Sequence, residues 1–171
     1  MDLLKIIRTI PDYPKPGILF YDISPLLAHA EAWRFCINAL GKAVRAASPD
    51  ILVGIESRGF LLTAPLAYEI GVGFAMIRKS NKLPGKVASF EYELEYGKDT
   101  IEIQSDAIQK NDRVVVLDDL LATGGTMDAA IKLIRQVGGN PVLGACILEL
   151  QGLGGRARVN LDIVSQIQCE A

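Results

Sequence analysis

Two adjacent carboxylates, Asp118 and Asp119, stand just before the run Ala122-Thr123-Gly124-Gly125-Thr126. A Thr- and Gly-rich loop at the mouth of a helix offers backbone N–H groups and hydroxyls without bulky side chains, and the helix dipole adds positive charge there. Such a loop is suited to phosphate. Neighbouring acids are suited to sugar hydroxyls, so the stretch reads as a sugar-phosphate site. The residues alone leave a second reading open. Gly-Gly before a helix is common, and paired acids at a strand end are often only solvated. No G-x-x-x-x-G-K-[ST] occurs in the chain, and no G-x-G-x-x-G in this stretch, which excludes the ordinary P-loop and dinucleotide fingerprints.

The elements that must position these residues flank them. Val114 to Leu117 is apolar, β-branched and too short for a helix, so it is expected to be a strand. Met127 to Val137 carries helical periodicity. The acids therefore fall at the carboxyl end of a strand, where open α/β sheets bind ligands. The whole string VVVLDDLLATGGT resembles the phosphoribosyl-diphosphate (PRPP) motif of the type I phosphoribosyltransferases, and its variant DDLLATGGT is similar to their adenine subgroup. The resemblance implies that Asp118 and Asp119 hold the ribose 2′- and 3′-hydroxyls, and that Ala122, Thr123, Gly124, Gly125 and Thr126 hold the 5′-phosphate.

The composition agrees with a small globular protein. The chain has 171 residues, half of them hydrophobic, with 18 basic and 20 acidic side chains. Near-balanced charge argues against a general nucleic-acid binder. Three widely spaced cysteines, Cys36, Cys146 and Cys169, with no C-x-x-C, read as reduced thiols of a cytoplasmic protein. The charged start MDLLKIIRTIPDYP is not a signal peptide. Phe60 to Ile77 is almost wholly apolar, but Pro65, Gly71 and Gly73 interrupt it. We read a helix over Phe60 to Ile70 and a strand from Phe74, not a membrane span.

Leu3 to Thr9 has the spacing of a short amphipathic helix, and Pro11, Pro14 and Pro16 then force an extended path. On residue type alone Phe20 and Tyr21 would be core residues. PDYPKPGILFYDIS, however, resembles the hood of the adenine enzymes. This implies that Phe20 stacks on the base and that backbone groups at Tyr21, usually Arg in the family, read its edge. Glu31 to Ala47 is expected to be a helix, and His29, the lone histidine, caps it or lies on the surface. Ile51 to Ile55 is expected to be a strand. ESRGF after it resembles the family's diphosphate loop, which implies roles for Glu56, Ser57 and Arg58 and a cis Glu56–Ser57 peptide.

Arg78, Lys79, Lys82 and Lys86 form a basic run that on charge alone is a solvated loop. RKSNKLPGK resembles the family's RK-x-x-KLPG segment and implicates Arg78, Lys79 and Lys82 at the diphosphate. FEYELEY is expected to pair with Thr100 to Gln104 across Gly97-Lys98-Asp99, with Glu91, Glu93 and Glu95 on one face. LEYG resembles the flexible catalytic loop. By that resemblance Glu95 handles the purine proton, with Tyr96 beside the diphosphate. Pro141 to Leu150 and Leu161 to Ile167 complete the strands.

The resemblance implies a single α/β domain over residues 1–171, with a mainly parallel twisted sheet flanked by helices and a hood over about residues 1–30. It implies transfer of the phosphoribosyl group from PRPP to adenine, giving AMP and diphosphate. Mg²⁺ is expected to arrive on PRPP oxygens, with Leu121 opposite Phe20 across the base and a homodimer as the working form. Alternatives are another base (xanthine, hypoxanthine or guanine) or a non-catalytic PRPP sensor. With the hood read as beginning by residue 11, the DNA-binding domain of a repressor is not expected ahead of it.

Overall fold

In the computed structural model, residues 1–94 and 97–170 are described. Among them the main sheet runs β10-β9-β7-β3-β4-β6-β5, from β3 (Ile51–Ile55), β4 (Gly73–Lys79), β5 (Val87–Leu94), β6 (Gly97–Gln104), β7 (Arg113–Leu117), β9 (Asn140–Gln151) and β10 (Ile163–Glu170). β10, β9, β7, β3 and β4 are parallel, and the β5–β6 hairpin joins antiparallel beside β4.

β7 shows why apolar runs form this sheet. Its Val115 and Leu117 pack with α2 (Ala30–Ala46) and α3 (Gly59–Ile70), while Val114 and Val116 pack with α4 (Gly125–Gln136). Both faces are covered, so every second residue can be apolar on either side. Each such side chain contributes roughly 1.5–3 kcal/mol on burial. The helices bury matching stripes: Cys36, Ile37, Leu40 and Val44 from α2, and Met127, Ala130, Ile131 and Ile134 from α4. His29 is the N-cap of α2 and accepts the Ala32 N–H through Nδ1. Gly71, at φ +84°, ends α3 in the left-handed conformation that glycine adopts without strain. Among the described residues no helix is long and apolar enough to cross a membrane.

Several expectations needed correction. Leu3 to Thr9 is not a helix. Only Leu4–Ile6 forms a 3₁₀ turn, and Arg8–Pro11 is strand β1, paired antiparallel with β2 (Leu19–Asp22). The cross-strand ion pair of Arg8 with Asp22 and the run of prolines favour the hairpin over a helix. A short helix α1 (Ser24–Ala28) follows it. Gly97-Lys98-Asp99 is not the turn of the second hairpin. These residues are already strand, paired with Tyr92, Glu93 and Leu94. Leu120–Leu121, expected in the loop, forms a two-residue strand β8 against β9, and Gly155–Arg158 forms a short helix α5.

Candidate active site

The carboxyl ends of β3, β4 and β7 converge on one cleft of about 350 Å³. Ile55, Ile77 and Ile101 supply apolar lining, and the polar residues come from the loops after β3 and β7, the start of α4, and β4, β5 and β6 themselves. Local packing sets these loops. Gly59 opens α3 so close to β7 that a Cβ there would lie 2.6 Å from the Leu117 carbonyl oxygen. The start of α3 can therefore sit against the acid pair only as glycine. Gly124, at φ +78°, is the N-cap of α4 and lets the Thr-Gly-Gly-Thr loop turn into the helix.

Asp118 is half-buried and Asp119 is 5% exposed. The Asp119 N–H donates to Asp118 Oδ1 at 2.8 Å. Burial, reinforced by the charge of Asp119, pushes the Asp118 carboxyl well above the usual range. Burial also raises Asp119, against the opposing pull of Arg58. Arg58 Nε lies 2.9 Å from Asp119 Oδ2, but its N–H is not aligned for a hydrogen bond, and Oδ2 accepts none. The Arg58 guanidinium also stands 5.4 Å from the centre of the Phe20 ring. Phe20 is held edge-on by Tyr13, at 5.1 Å and 75°.

Across the cleft, Glu56 gathers the cations. Lys82 Nζ donates to it at 2.6 Å, the Lys79 N–H at 2.9 Å and Arg78 Nη2 at 3.2 Å. Burial would raise this carboxyl, but those bonds outweigh it and hold it at about 2. Lys79 Nζ pairs instead with Asp99 at 3.0 Å. The Glu56–Ser57 peptide is cis, as the resemblance implied. Among the described residues, the buried side-chain polar atoms without a hydrogen bond are Arg78 Nε and Asp119 Oδ2. One is a donor and the other an acceptor, and both belong to residues lining the same cleft.

The structure thus brings together Glu56, Ser57, Arg58, Arg78, Lys79, Asp118, Asp119, Leu121 and the loop Ala122 to Thr126, with Lys82 joined through Glu56. Phe20 meets this set through Arg58. Tyr21 does not face it. Successive strand residues point to opposite sides, and the Tyr21 hydroxyl donates to the Glu170 carbonyl at 3.0 Å, tying the hood to β10. Glu95 and Tyr96 lie outside the described residues. Among the described residues, two polar cleft residues escaped the sequence reading, Tyr92 and Asp99. Tyr92 is buried between exposed Glu91 and Glu93, with its hydroxyl 3.5 Å from Thr126 Oγ1. The alternation of FEYEL was the available signal, since its aromatic face had to turn inward.

Comparison with known proteins shows the family. Residues 23–164 match the family described as phosphoribosyl transferase domain. An adenine phosphoribosyltransferase of Rhodospirillum centenum is 60% identical over 98% of this chain and 96% of its own length. The crystal structure of the enzyme of that name from Thermoanaerobacter pseudethanolicus superposes with a TM-score of 0.93 at 48% identity, covering 96% of each chain. The one from Saccharomyces cerevisiae, complexed with an imino-altritol bisphosphate and adenine, superposes at 0.92 with 37% identity, covering 96% of each chain. With matches of this length and identity, the chain belongs to the type I phosphoribosyltransferase family, among its adenine phosphoribosyltransferases.

Proposed function

We propose that this cleft joins adenine to the anomeric carbon of PRPP, giving AMP and diphosphate, a step of purine salvage. The observation that carries the reading is the pair of unbonded buried atoms. Arg78 Nε is a donor suited to an anionic oxygen, and Asp119 Oδ2 is an acceptor suited to a hydroxyl. Buried polar groups are normally hydrogen-bonded, and a sugar phosphate has both complements. Asp118 and Asp119 take the ribose hydroxyls, and Ala122 to Thr126 take the 5′-phosphate.

Adenine N9 attacks as the C–O bond to diphosphate breaks. Positive charge grows on the ribose ring and negative charge on the leaving group. Arg58, Arg78, Lys79 and Lys82 offset the latter, together with Tyr96 and the backbone turned by Glu56–Ser57. Glu56 is an anion and cannot hold diphosphate itself; its part is to gather Arg78 and Lys82. Mg²⁺ would arrive bound to PRPP oxygens, with few or no direct ligands from the protein, and would supply further positive charge at the leaving group. Glu95 takes the purine proton. Phe20 and Leu121 sandwich the base, and the backbone at Tyr21 reads its edge.

The working form is a homodimer. β4 turns Phe74 and Met76 to the α3 side of the sheet, in register with Leu52 and Gly54 of β3. They are 46% and 39% exposed, beside Leu61 and Tyr68 of α3, which are 44% and 92% exposed. An apolar face of this kind suits a second copy. The free, buried thiols of Cys36, Cys146 and Cys169 suit a reducing compartment, and we assign the cytoplasm. The test is competition. With PRPP and equal adenine, hypoxanthine, guanine and xanthine, AMP should be the dominant product. Preferential formation of another nucleotide would move the assignment to that base.

A further inference from the structure

The loop Ala122 to Thr126 does not stand alone. A Cβ on Gly155 would lie 2.1 Å from the Ala122 carbonyl oxygen and 3.2 Å from the Gly124 nitrogen. One on Gly124 would lie 2.6 Å from the Gly155 carbonyl oxygen. Backbone therefore rests on backbone, and the height of Gly155 sets the height of the loop. Gly155 opens α5, which at four residues is far too short to hold itself. Its second residue, Arg156, supplies the hold. Arg156 Nε donates to Glu149 Oε1 at 2.8 Å, Nη2 to Glu149 Oε2 at 2.5 Å, and Nη1 to the Ile163 carbonyl at 2.7 Å.

Glu149 is itself fixed. It is 6% exposed and also accepts from Ser165 Oγ at 2.6 Å and Gln168 Nε2 at 3.2 Å. On β9 it stands in register with Leu121, the residue that leads into the loop. The bonds from Arg156, foremost among several, hold its carboxyl at about 2, so the pair is ionised at neutral pH. A fork-to-carboxylate pair fixes direction as well as distance.

We infer that the Glu149–Arg156 pair is a positioning device for the phosphate cradle. It clamps α5 to β9 and β10, and α5 in turn sets where the N–H groups of the loop point. The inference rests on the reading of Ala122 to Thr126 as the 5′-phosphate loop. An ion pair whose arginine is 46% exposed adds little net stability, whereas a misplacement of about 1 Å in a binding group can cost about 10²-fold. The consequence should therefore appear in the handling of the phosphate-bearing substrate. A merely structural pair would lower stability and disturb both substrates alike.

The test is Arg156→Lys in the full chain, which keeps the charge and loses the fork, beside Thr123→Val within the loop. For each, the Michaelis constants for PRPP and adenine, kcat and the melting temperature are measured. Arg156→Lys should raise the constant for PRPP about tenfold and leave that for adenine within about twofold. If it melts below the assay temperature, the double variant Glu149→Gln with Arg156→Gln, which leaves no charge unpaired, is read by the same ratio. Equal changes for both substrates, or none, overturn the inference. If Thr123→Val weakens PRPP and the brace variants do not, only the brace falls. If neither affects PRPP, the phosphate assignment falls with it.

Discussion

Asp118→Asn should weaken PRPP binding and stabilise the protein at the same time. The substitution keeps the shape and leaves an oxygen to accept the Asp119 N–H, which is 2.8 Å from Asp118 Oδ1. It removes the charge that would meet a ribose hydroxyl. A charge-assisted hydrogen bond is worth roughly 1.5–3 kcal/mol, and 1.4 kcal/mol is tenfold, so PRPP affinity should fall about 10- to 150-fold. Stability should move the other way. Burial and the charge of Asp119 raise the folded carboxyl above its unfolded value, so the native state binds the proton more tightly. Stability is then lost as pH rises from the unfolded pKa through the folded one, and above both the ionised group weighs against folding. Asn removes that cost. Calorimetric titration with PRPP at pH 7, beside thermal melts at pH 4 and pH 8, reads both effects. The melting temperature should rise above the parent's at pH 8 and much less at pH 4. Unchanged PRPP affinity would refute the ribose role, and a lower melting temperature at pH 8 would refute the burial argument.

Phe20→Ala should raise the Michaelis constant for adenine about tenfold or more, since stacking on a base is worth roughly 1–3 kcal/mol. Tyr21→Phe should leave it within about twofold while costing about 1 kcal/mol of stability through the lost bond to Glu170; the reverse pattern in kinetics and melts would mean the hood is misread. Glu56 has a depressed carboxyl, so its contribution to stability is present above pH 4.5 and lost as pH falls to about 2. Glu56→Gln should thus be less stable than the parent in denaturant titrations at pH 7 and close to it near pH 2, and a constant gap would contradict the ion-pair account. Glu95→Gln should slow turnover on the order of 10²-fold, with Glu91→Gln and Glu93→Gln within about threefold, as exposed positions usually are. Three equal effects in a steady-state assay would remove the catalytic assignment.

What was legible in the sequence was local. β7, the acid pair, the Thr-Gly-Gly-Thr loop and α4 are contiguous, and each step has its own pattern of β-branched run, acids, small residues and helical spacing. What failed was set at a distance. Leu3 to Thr9 carries helical spacing, yet Arg8 finds Asp22 across a hairpin that no periodicity announces. β8 is two residues long, below any pattern, and exists because Leu120 and Leu121 pair with Leu148 and Glu149. Arg156 looks like one surface arginine among several until Glu149 is placed beside it from β9. Tyr21 was legible as hood but not as anchor, because its partner Glu170 lies at the far end of the chain.

The most direct measurement is a single turnover with enzyme in excess over PRPP, with adenine present and Mg²⁺ supplied, in which AMP and diphosphate are counted together. The account predicts equal amounts of both, formed faster than nucleotide from hypoxanthine under the same conditions. PRPP that binds but yields neither product would contradict it and leave a sensor on this fold.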